Sequence, residues 1–380
     1  MNFYDYIGLT PEQFEKVYLS TRLVNSQTHP TFPLVIYTYG RETVYKQAWD
    51  AVTTKCRGII VTRETGEIGA RPFEKFFNFG DPTNGMTDTA VDILARQVGQ
   101  PVVWEKVDGF LCIGYNWGGK WYCASKGSFT SPHAKWASAQ IQRLDMDSVF
   151  HTEGYTPVFE GVCPSLRIVV DYGANEELIL TAIIHNDTGI EMPPFVLQSM
   201  GDLMGASTPE LETLSWQEVQ QATYDEAVKN AEGYVLTWYG GAVPYRLKVK
   251  YIDYLRVHRM VTGVQNGWTS VLDDATPWFN AFVAKWRRVI EVEAMRLEKT
   301  AKDIYDDAQN IVESYDEPAE NLGETRKRWA EVFTAPDNKE YSGILFAMLD
   351  GKDWRQVIWK KIKGSAIMKN GHPLVDAHNT

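Results

Sequence analysis

The sequence has little that would suit a membrane or an oxidising compartment. No apolar run reaches the length of a membrane span, and residues 1–5 lack the basic and apolar stretches of a secretory signal. The four cysteines form no CxxC pair and have no histidine at zinc-ligand spacing, which predicts reduced thiols. We therefore expect a cytoplasmic protein without a membrane partner.

Several common nucleotide-binding signatures are also missing. There is no GxxxxGK[ST] sequence and no glycine-rich loop ahead of a lysine, which argues against P-loop enzymes and protein kinases. The formal net charge of −11 has the wrong sign for a tight, nonspecific binder of duplex nucleic acid. A local cluster of lysines can still dominate at short range, because salt screens distant charges.

What is present indicates an ordered protein of two domains. The chain has 380 residues, of which 44% are hydrophobic and 13% aromatic, enough for a large core. Strand and turn patterns predict hairpins at 58–73, 110–126 and 232–250, further strands at 101–105, 157–161, 166–172 and 178–185, and helices at 87–97, 132–144 and 216–229. Helical spacing recurs at 278–304, 342–349 and 354–362. The predicted class is α+β, with an antiparallel-sheet-rich domain over 1–254 and an all-helical domain over 255–380.

A series of short motifs lies between residues 34 and 258. The central one is Lys106-Val107-Asp108-Gly109, in which the lysine ends a strand and Asp-Gly forms a turn. The others are Cys56–Gly58, Arg71–Asn78, Ser125–Gly127, Phe159–Gly161, Glu232–Val235 and Lys248–Lys250. In this order and spacing they resemble the covalent nucleotidyltransferases, and most closely the phage-type RNA ligase 1 family. The resemblance implies that the first domain has the nucleotidyltransferase (ATP-grasp-like ligase) fold.

The same resemblance implies an ATP-dependent RNA ligase. In such an enzyme Lys106 takes AMP from ATP, the AMP moves to an RNA 5′-phosphate, and a 3′-hydroxyl then expels it. The family implies Mg²⁺ or Mn²⁺ as cofactor, RNA or tRNA repair as the role, and the cytoplasm of an infected host cell as the location if the gene is a phage gene. We expect a monomer, and single-stranded DNA is left open as a second substrate.

Carried over residue by residue, the resemblance assigns three groups of side chains. Catalysis is assigned to Lys106, Asp108, Glu160, Glu232, Lys248, Lys250 and Tyr254. ATP binding is assigned to Tyr37, Arg57, Lys75, Glu105, Gly109 and Lys126, together with Lys106, Glu160, Lys248 and Lys250. Metal binding is assigned to Glu232, with Asp273 and Asp274 as further candidates. Phe76 and Phe77 are expected in the core rather than against a base.

A lysine nucleophile must be neutral, yet the pKa of a free lysine is about 10.4. Arg246, Lys248 and Lys250 alternate onto one face of the predicted strand at 245–250. If that face looks at Lys106, its like charges lower the pKa of the Lys106 amine and neutralise phosphate groups. A solvated hairpin edge, where lysines are common, is the other explanation of the alternation.

Other functions remain open. A DNA ligase or an mRNA capping enzyme uses the same chemistry, although helices stand here where an OB-fold-like tail would be expected. A noncatalytic RNA-binding protein on a ligase scaffold is the alternative from another class, and the joint presence of the polar motif residues argues against it. The helical domain is expected to select the RNA through basic residues, unless these form a solvated helix face. They are Lys285, Arg287, Arg288, Lys360, Lys361 and Lys363.

Overall fold

The computed structural model describes residues 1–81, 83, 87–151, 154–225, 228–239, 244–265, 277–314 and 322–364. The chain divides into two compact units, Met1–Arg256 and Val257–Thr380. Asp273 and Asp274 lie outside the described residues, so their assignment as metal ligands stays a prediction. Among the described helices, none has both the length and the apolar character that crossing a bilayer needs.

Twelve described strands form three four-stranded sheets in the first unit, and every strand pair is antiparallel. The first sheet has the order β1 (Val24–Thr28), β2 (Leu34–Tyr39), β3 (Arg57–Thr62), β4 (Ile68–Ala70). The second has the order β7 (Lys120–Ser125), β6 (Phe110–Trp117), β8 (Tyr155–Val162), β9 (Glu177–His185). The third has the order β10 (Leu211–Glu212), β5 (Val102–Glu105), β11 (Gly233–Trp238), β12 (Tyr245–Lys250). The antiparallel α+β class predicted from the sequence is confirmed.

Helices connect and flank the sheets. Those of the first part of the chain are α1 (Phe3–Ile7), α2 (Pro11–Phe14), α3 (Arg41–Tyr45), α4 (Ala51–Lys55), α5 (Asp88–Val98), α6 (Pro132–Gln140), α7 (Pro194–Met204) and α8 (Trp216–Thr223). Later in the chain come α9 (Ile252–Gln265), α10 (Pro277–Glu313), α11 (Leu322–Phe333), α12 (Ser342–Leu349) and α13 (Trp354–Gly364). The described part of the second unit is helical, as its 3.6-residue periodicity predicted.

Local chemistry explains where several elements begin and end. The Ser215 side chain accepts a hydrogen bond from the Glu218 amide, and the Glu218 side chain bonds back, a capping box that starts α8. Gly118 and Gly119 both have positive φ and make the tight turn between β6 and β7. The three predicted hairpins are confirmed, since β3 pairs with β4, β6 with β7, and β11 with β12. The helices predicted at 132–144 and 216–229 are shorter, because α6 gives way to a 3₁₀ turn and α8 ends at Thr223.

One predicted strand is wrong. Residues 166–172 form no strand, and a 3₁₀ turn at Pro164–Leu166 leads into a loop. The backbone amides of Val169 and Val170 both donate to Asp108 Oδ2, each at 2.7 Å. A carboxylate therefore takes the hydrogen bonds that a neighbouring strand would otherwise satisfy.

Two large apolar clusters hold the first unit together. One contains Trp104, Phe159 and Leu180 and joins elements of the second and third sheets. The other packs α1 and α2 against the first sheet and contains Phe3, Phe14 and Tyr37. Strands that are anchored by buried side chains on one face can hold polar side chains rigidly on the other.

Candidate active site

A cavity of about 380 Å³ lies between the second and third sheets. The third sheet lines it from β5, β11 and β12, and the second sheet lines it from β6, β8 and β9. Its charged lining residues are Arg57, Glu105, Lys106, Lys126, Glu160, Arg246 and Lys248. Its apolar lining residues are Phe73, Phe76, Trp104, Val107, Phe110, Leu111, Pro209 and Val235. Gly109, Thr181 and Thr237 complete the wall.

Lys106 follows the last residue of β5 and is held by the neighbouring strand. Its backbone amide donates to Gly233 O at 2.8 Å. Its Nζ lies 2.6 Å from Glu232 Oε2, and Lys250 Nζ lies 2.8 Å from Glu232 Oε1. The carboxylate of Glu232 thus contacts both ammonium groups, and it is buried.

Asp108 organises the turn after Lys106. Besides the two loop amides on Oδ2, its Oδ1 accepts a 2.7 Å hydrogen bond from the hydroxyl of Tyr254. Its own amide donates to Tyr172 at 2.8 Å. A Cβ on Gly109 would lie 2.3 Å from Gly161 O, so only glycine fits between the turn and β8. Asp108 does not line the cavity, and its contacts indicate that it positions the turn that carries the lysine.

Several lysines in the cavity wall or beside it lie against aromatic rings. Lys248 Nζ lies 4.3 Å from the centre of the Phe76 ring, and Lys75 Nζ lies 3.9 Å from that of Phe77. Lys126 Nζ lies 4.5 Å from the centre of the Tyr39 ring. Such contacts stabilise an ammonium that has lost part of its water. The expectation that Phe76 and Phe77 belong to the core is wrong, since both are half-buried and contact these cations.

The surroundings shift the pKa values of the lysines in opposite directions. Burial alone would lower the pKa of Lys106, but attraction to Glu232 and Glu160 outweighs it, and the pKa is raised. Burial and the like charges of Arg57, Lys106 and Lys75 hold the pKa of Lys248 well below its usual range. The expectation of a lowered pKa for Lys106 is therefore wrong, because carboxylates rather than lysines are its nearest charged neighbours.

The pKa values of two more side chains near Lys106 and Lys248 are also shifted. Burial raises the pKa of Glu160 to about 7, although the Lys106 ammonium opposes the shift. Burial and the charge of Arg57 lower the pKa of Lys75 to about 8. Clustered shifts of this kind are typical of functional sites, though ion-pair networks also produce them.

Not every residue assigned by resemblance reaches the cavity. The ring of Tyr37 stacks on Phe3 with centroids 5.0 Å apart and is buried in the core behind the first sheet. A register shift between Tyr37 and Thr38 interrupts the alternation of the strand. Tyr39 is the tyrosine that comes near the cavity, since its hydroxyl lies 3.4 Å from Nζ of Lys126, a residue of the cavity wall. One indication pointed to this, namely that Tyr39 is the last residue of β2.

Arg246, which the strand alternation placed on the same face as Lys248 and Lys250, lines the cavity, as does Thr237, to which no role was assigned. Arg246 forms a buried ion pair with Glu191, through a 2.7 Å bond from Nη1 to Oε1 and a second contact of Nη2 with Oε2. Its guanidinium carbon lies 4.3 Å from the centre of the Phe73 ring. Arg246 is therefore neutralised by a carboxylate, unlike the free cation that the alternation predicted.

Within the described residues no three His, Cys, Asp or Glu side chains are grouped so as to hold a metal ion. Both carboxylate oxygens of Glu232 contact ammonium groups. Among the residues that the structure describes, Glu160 and Glu105 are the carboxylates that line the cavity. Mg²⁺ commonly takes one or two carboxylates and completes its shell with phosphate oxygens and water, so this donor set fits such an ion.

Residues 55–254 match the family model described as RNA ligase. The chain is 28% identical over 218 residues to the "Putative RNA ligase" of Thermovibrio ammonificans, covering 55% of this chain and 54% of that protein. It is 30% identical over 145 residues to "RNA ligase 1" of bacteriophage TS2126, covering 37% of this chain and 36% of that one. The chain thus spans about half or less of the length of these relatives.

Among solved structures, the "Putative ATP-dependent DNA ligase" from Aquifex aeolicus aligns with a TM-score of 0.48 at 13% identity, over 94% of this chain and 89% of that chain. The family match covers more than half of the chain and includes the motifs from Arg57 to Tyr254. The protein belongs to the RNA ligase family of the phage RNA ligase 1 type.

Proposed function

We propose that this protein joins RNA 3′-hydroxyl and 5′-phosphate ends at the expense of ATP, through AMP bound covalently to Lys106. One observation carries the proposal. The Lys106 amine lies at a cavity of nucleotide size between two sheets, with the cations Arg57, Lys126 and Lys248 along the same wall. An amine beside an anion-binding surface is what an attack on a nucleotide phosphate requires.

The first step would form a P–N bond between Lys106 Nζ and the α-phosphorus and break the P–O bond to pyrophosphate. The amine must first lose a proton, and Glu232 Oε2, at 2.6 Å, is placed to accept it. Arg57, Lys126 and Lys248 would neutralise the charge that grows on the pyrophosphate. In the second step an RNA 5′-phosphate oxygen attacks the phosphorus, the P–N bond breaks, and Nζ regains a proton.

In the third step the RNA 3′-hydroxyl attacks the activated 5′-phosphate, and AMP leaves. A divalent cation, Mg²⁺ or Mn²⁺, would polarise the phosphoryl oxygens. Glu160 would hold it together with the nucleotide phosphates, and Glu232 could do so once its ammonium partners move. With a pKa of about 7, Glu160 is available both as a carboxylate and as an acid near neutral pH.

The test is transfer of label from α-labelled ATP to the denatured protein in the presence of Mg²⁺. We expect wild type to be labelled and Lys106→Ala to be unlabelled. Lys120→Ala, an exposed lysine on β7 outside the cavity, is the matched control and should be labelled like wild type. An unlabelled wild type would overturn the proposal, and so would a labelled Lys106→Ala. A noncatalytic RNA-binding protein would give no label in any variant.

We further propose that the helical part of the chain selects the RNA and that a nicked tRNA is the preferred substrate. Of its predicted basic contacts, Lys361 has a described side chain, and its Nζ lies 3.5 Å from Glu340 Oε1. Replacing Lys285, Arg287 and Arg288 together by glutamate should leave labelling unchanged and slow sealing of a nicked tRNA more than sealing of a short single strand. Equal slowing on both substrates would contradict the selectivity. Single-stranded DNA, added as a third substrate, tests acceptance of DNA in the same assay.

A further inference from the structure

The nucleophile and its proton acceptor lie on two segments that meet at one end of the third sheet. β5 and β11 pair as far as Glu105 and Tyr234, and a further backbone bond runs from Lys106 N to Gly233 O. The ladder between the two strands ends there. Lys106 Nζ nevertheless lies 2.6 Å from Glu232 Oε2, so the distance between amine and carboxylate depends on contacts outside this ladder.

The loop of residues 169–172, here called the brace, holds the turn that follows the nucleophile. The amides of Val169 and Val170 both donate to Asp108 Oδ2 at 2.7 Å. In the opposite direction, the Asp108 amide donates to the hydroxyl of Tyr172 at 2.8 Å. Asp108 comes two residues after the nucleophile, and the brace therefore holds this turn through both a side chain and the backbone.

The brace also holds the segment that leads into Glu232. The Asp171 amide donates to Oδ1 of Asn230 at 2.7 Å, and Nδ2 of Asn230 donates to the Asp171 carbonyl at 2.9 Å. The asparagine side chain thus pairs with this backbone as a neighbouring strand would. Asn230 stands two residues before Glu232 and has a φ of 56°, a left-handed conformation that asparagine tolerates better than most residues.

We propose that the brace sets the position of Lys106 relative to Glu232, and that Asn230 and Tyr172 are positioning residues of the adenylylation step. The proposal rests on the proposed function, in which the Lys106 amine attacks the α-phosphorus. Each of the four consecutive residues of the brace bonds to one of the two reacting segments. Neither Asn230 nor Tyr172 is among the described residues that line the cavity, so both act through the segments that they hold.

Loss of the brace should slow the reaction without weakening ATP binding. The cavity wall keeps its other groups, so the ATP concentration that gives the half-maximal rate should change less than about twofold. The reacting side chains are more sensitive, because a misplacement of about 1 Å can cost about 100-fold in rate. The bond from Lys106 N to Gly233 O remains, so we expect a smaller displacement and a smaller loss.

The experiment measures the rate constant of single-turnover labelling of Lys106 over a series of ATP concentrations. Asn230→Gly keeps the left-handed backbone and releases one end of the brace, so the maximal rate constant should fall about tenfold. Tyr172→Phe leaves the two amide bonds to Asp108 in place and should cost about threefold. The double variant should lose about tenfold rather than about thirtyfold, because a brace that is released at one end no longer connects the segments. Asn230→Asp retains the acceptor for the Asp171 amide and should lie between wild type and Asn230→Gly.

Arg22→Gly is the matched control and should label at the wild-type rate. Arg22 also has a left-handed backbone, with a φ of 60°, but it precedes β1 and does not line the cavity. Rates are compared at a temperature at which circular dichroism shows every variant to be folded. An unchanged maximal rate in Asn230→Gly, a change confined to the ATP dependence, or losses that multiply in the double variant would each overturn the brace.

Urea unfolding of wild type, the two single variants and the double variant separates this proposal from the proposed function. If wild type is not labelled, the proposed function fails, and the unfolding free energies then decide whether the brace connects the two segments. A loss of stability in the double variant that is smaller than the sum of the single losses would support the connection. Losses that simply add would overturn it.

Discussion

Lys106 and Lys248 line one cavity from neighbouring regions of the third sheet, on either side of β11. Around Lys106 the close charges are carboxylates, and the pKa of the lysine is raised. Around Lys248 they are Arg57, Lys106 and Lys75, and the pKa is lowered. Burial lowers the pKa of both lysines, but at Lys106 the carboxylates outweigh it and at Lys248 the neighbouring cations add to it, so the two pKa values move in opposite directions.

The difference in pKa bears on how a lysine nucleophile is deprotonated before it attacks. Lys106 is stored as an ammonium in an ion pair with Glu232, and it must give up a proton before it attacks. Lys248, which resists protonation, is suited to take up positive charge when a polyanion arrives, since phosphate would raise its pKa again. Four substitutions test this contrast, and they follow in order of decreasing expected effect.

Replacing Lys106 by methionine removes one ammonium from a buried carboxylate. Glu232 would then be left with Lys250 alone. Breaking a buried pair from one side typically costs about 3–5 kcal/mol, so we expect the free energy of unfolding in urea to fall by about 3 kcal/mol. Lys126→Met, at an exposed lysine of the same cavity, is the control and should change stability by no more than about 0.5 kcal/mol. Equal stability of wild type and Lys106→Met would mean that the ion pair does not stabilise the fold.

Glu160→Gln tests the second carboxylate near Lys106. Burial raises the pKa of Glu160 from 4.5 to about 7, so wild type loses stability as pH rises through this interval and the group is forced to ionise. The variant cannot ionise and should be no more stable than wild type at pH 4.5 but more stable at pH 8. At about 1.36 kcal/mol per unit, the difference would reach at most about 3 kcal/mol. A stability difference that does not depend on pH would contradict the raised pKa.

How far the sequence predicts this arrangement depends on whether the cause is local. Strand alternation placed Lys248 and Arg246 on one face, and the Asp-Gly pair predicted the turn after Lys106. The ion pair of Lys106 with Glu232 joins residues 126 positions apart, and no local pattern contains it. Likewise, a register shift between Tyr37 and Thr38 separates Tyr37, which lies in the core, from Tyr39, which lies beside Lys126. A period-two pattern cannot show an irregularity of this kind.

Glu232→Gln removes the charge that raises the pKa of Lys106 while it keeps the shape of the side chain. The ascending limb of the pH–rate profile for Lys106 labelling should therefore move to lower pH. The plateau should fall about 100-fold, because the nearest proton acceptor is lost. The profile is measured by single-turnover labelling at saturating ATP. A limb that stays in place would show that Glu232 does not control the ionisation of Lys106.

Lys248→Met should have the smallest effect on stability and the opposite sign to Lys106→Met. A lysine whose pKa is lowered on folding is at its most costly when it must carry a charge, at pH values below its folded pKa. That cost falls as pH rises through the folded pKa, and it is gone above about 10.4, the pKa of an unfolded lysine. The methionine variant should therefore be more stable than wild type by about 1 kcal/mol at pH 6, since hydrophobic groups often replace buried charges without loss. For a unit of the size of Met1–Arg256 that corresponds to a rise in Tm of about 2 °C, and the rise should shrink between pH 6 and pH 9. Labelling of Lys106 should slow in the same variant, because a phosphate-binding cation is lost. If Lys248→Met lowers Tm as Lys106→Met does, the two lysines do not differ in the way their neighbouring charges indicate.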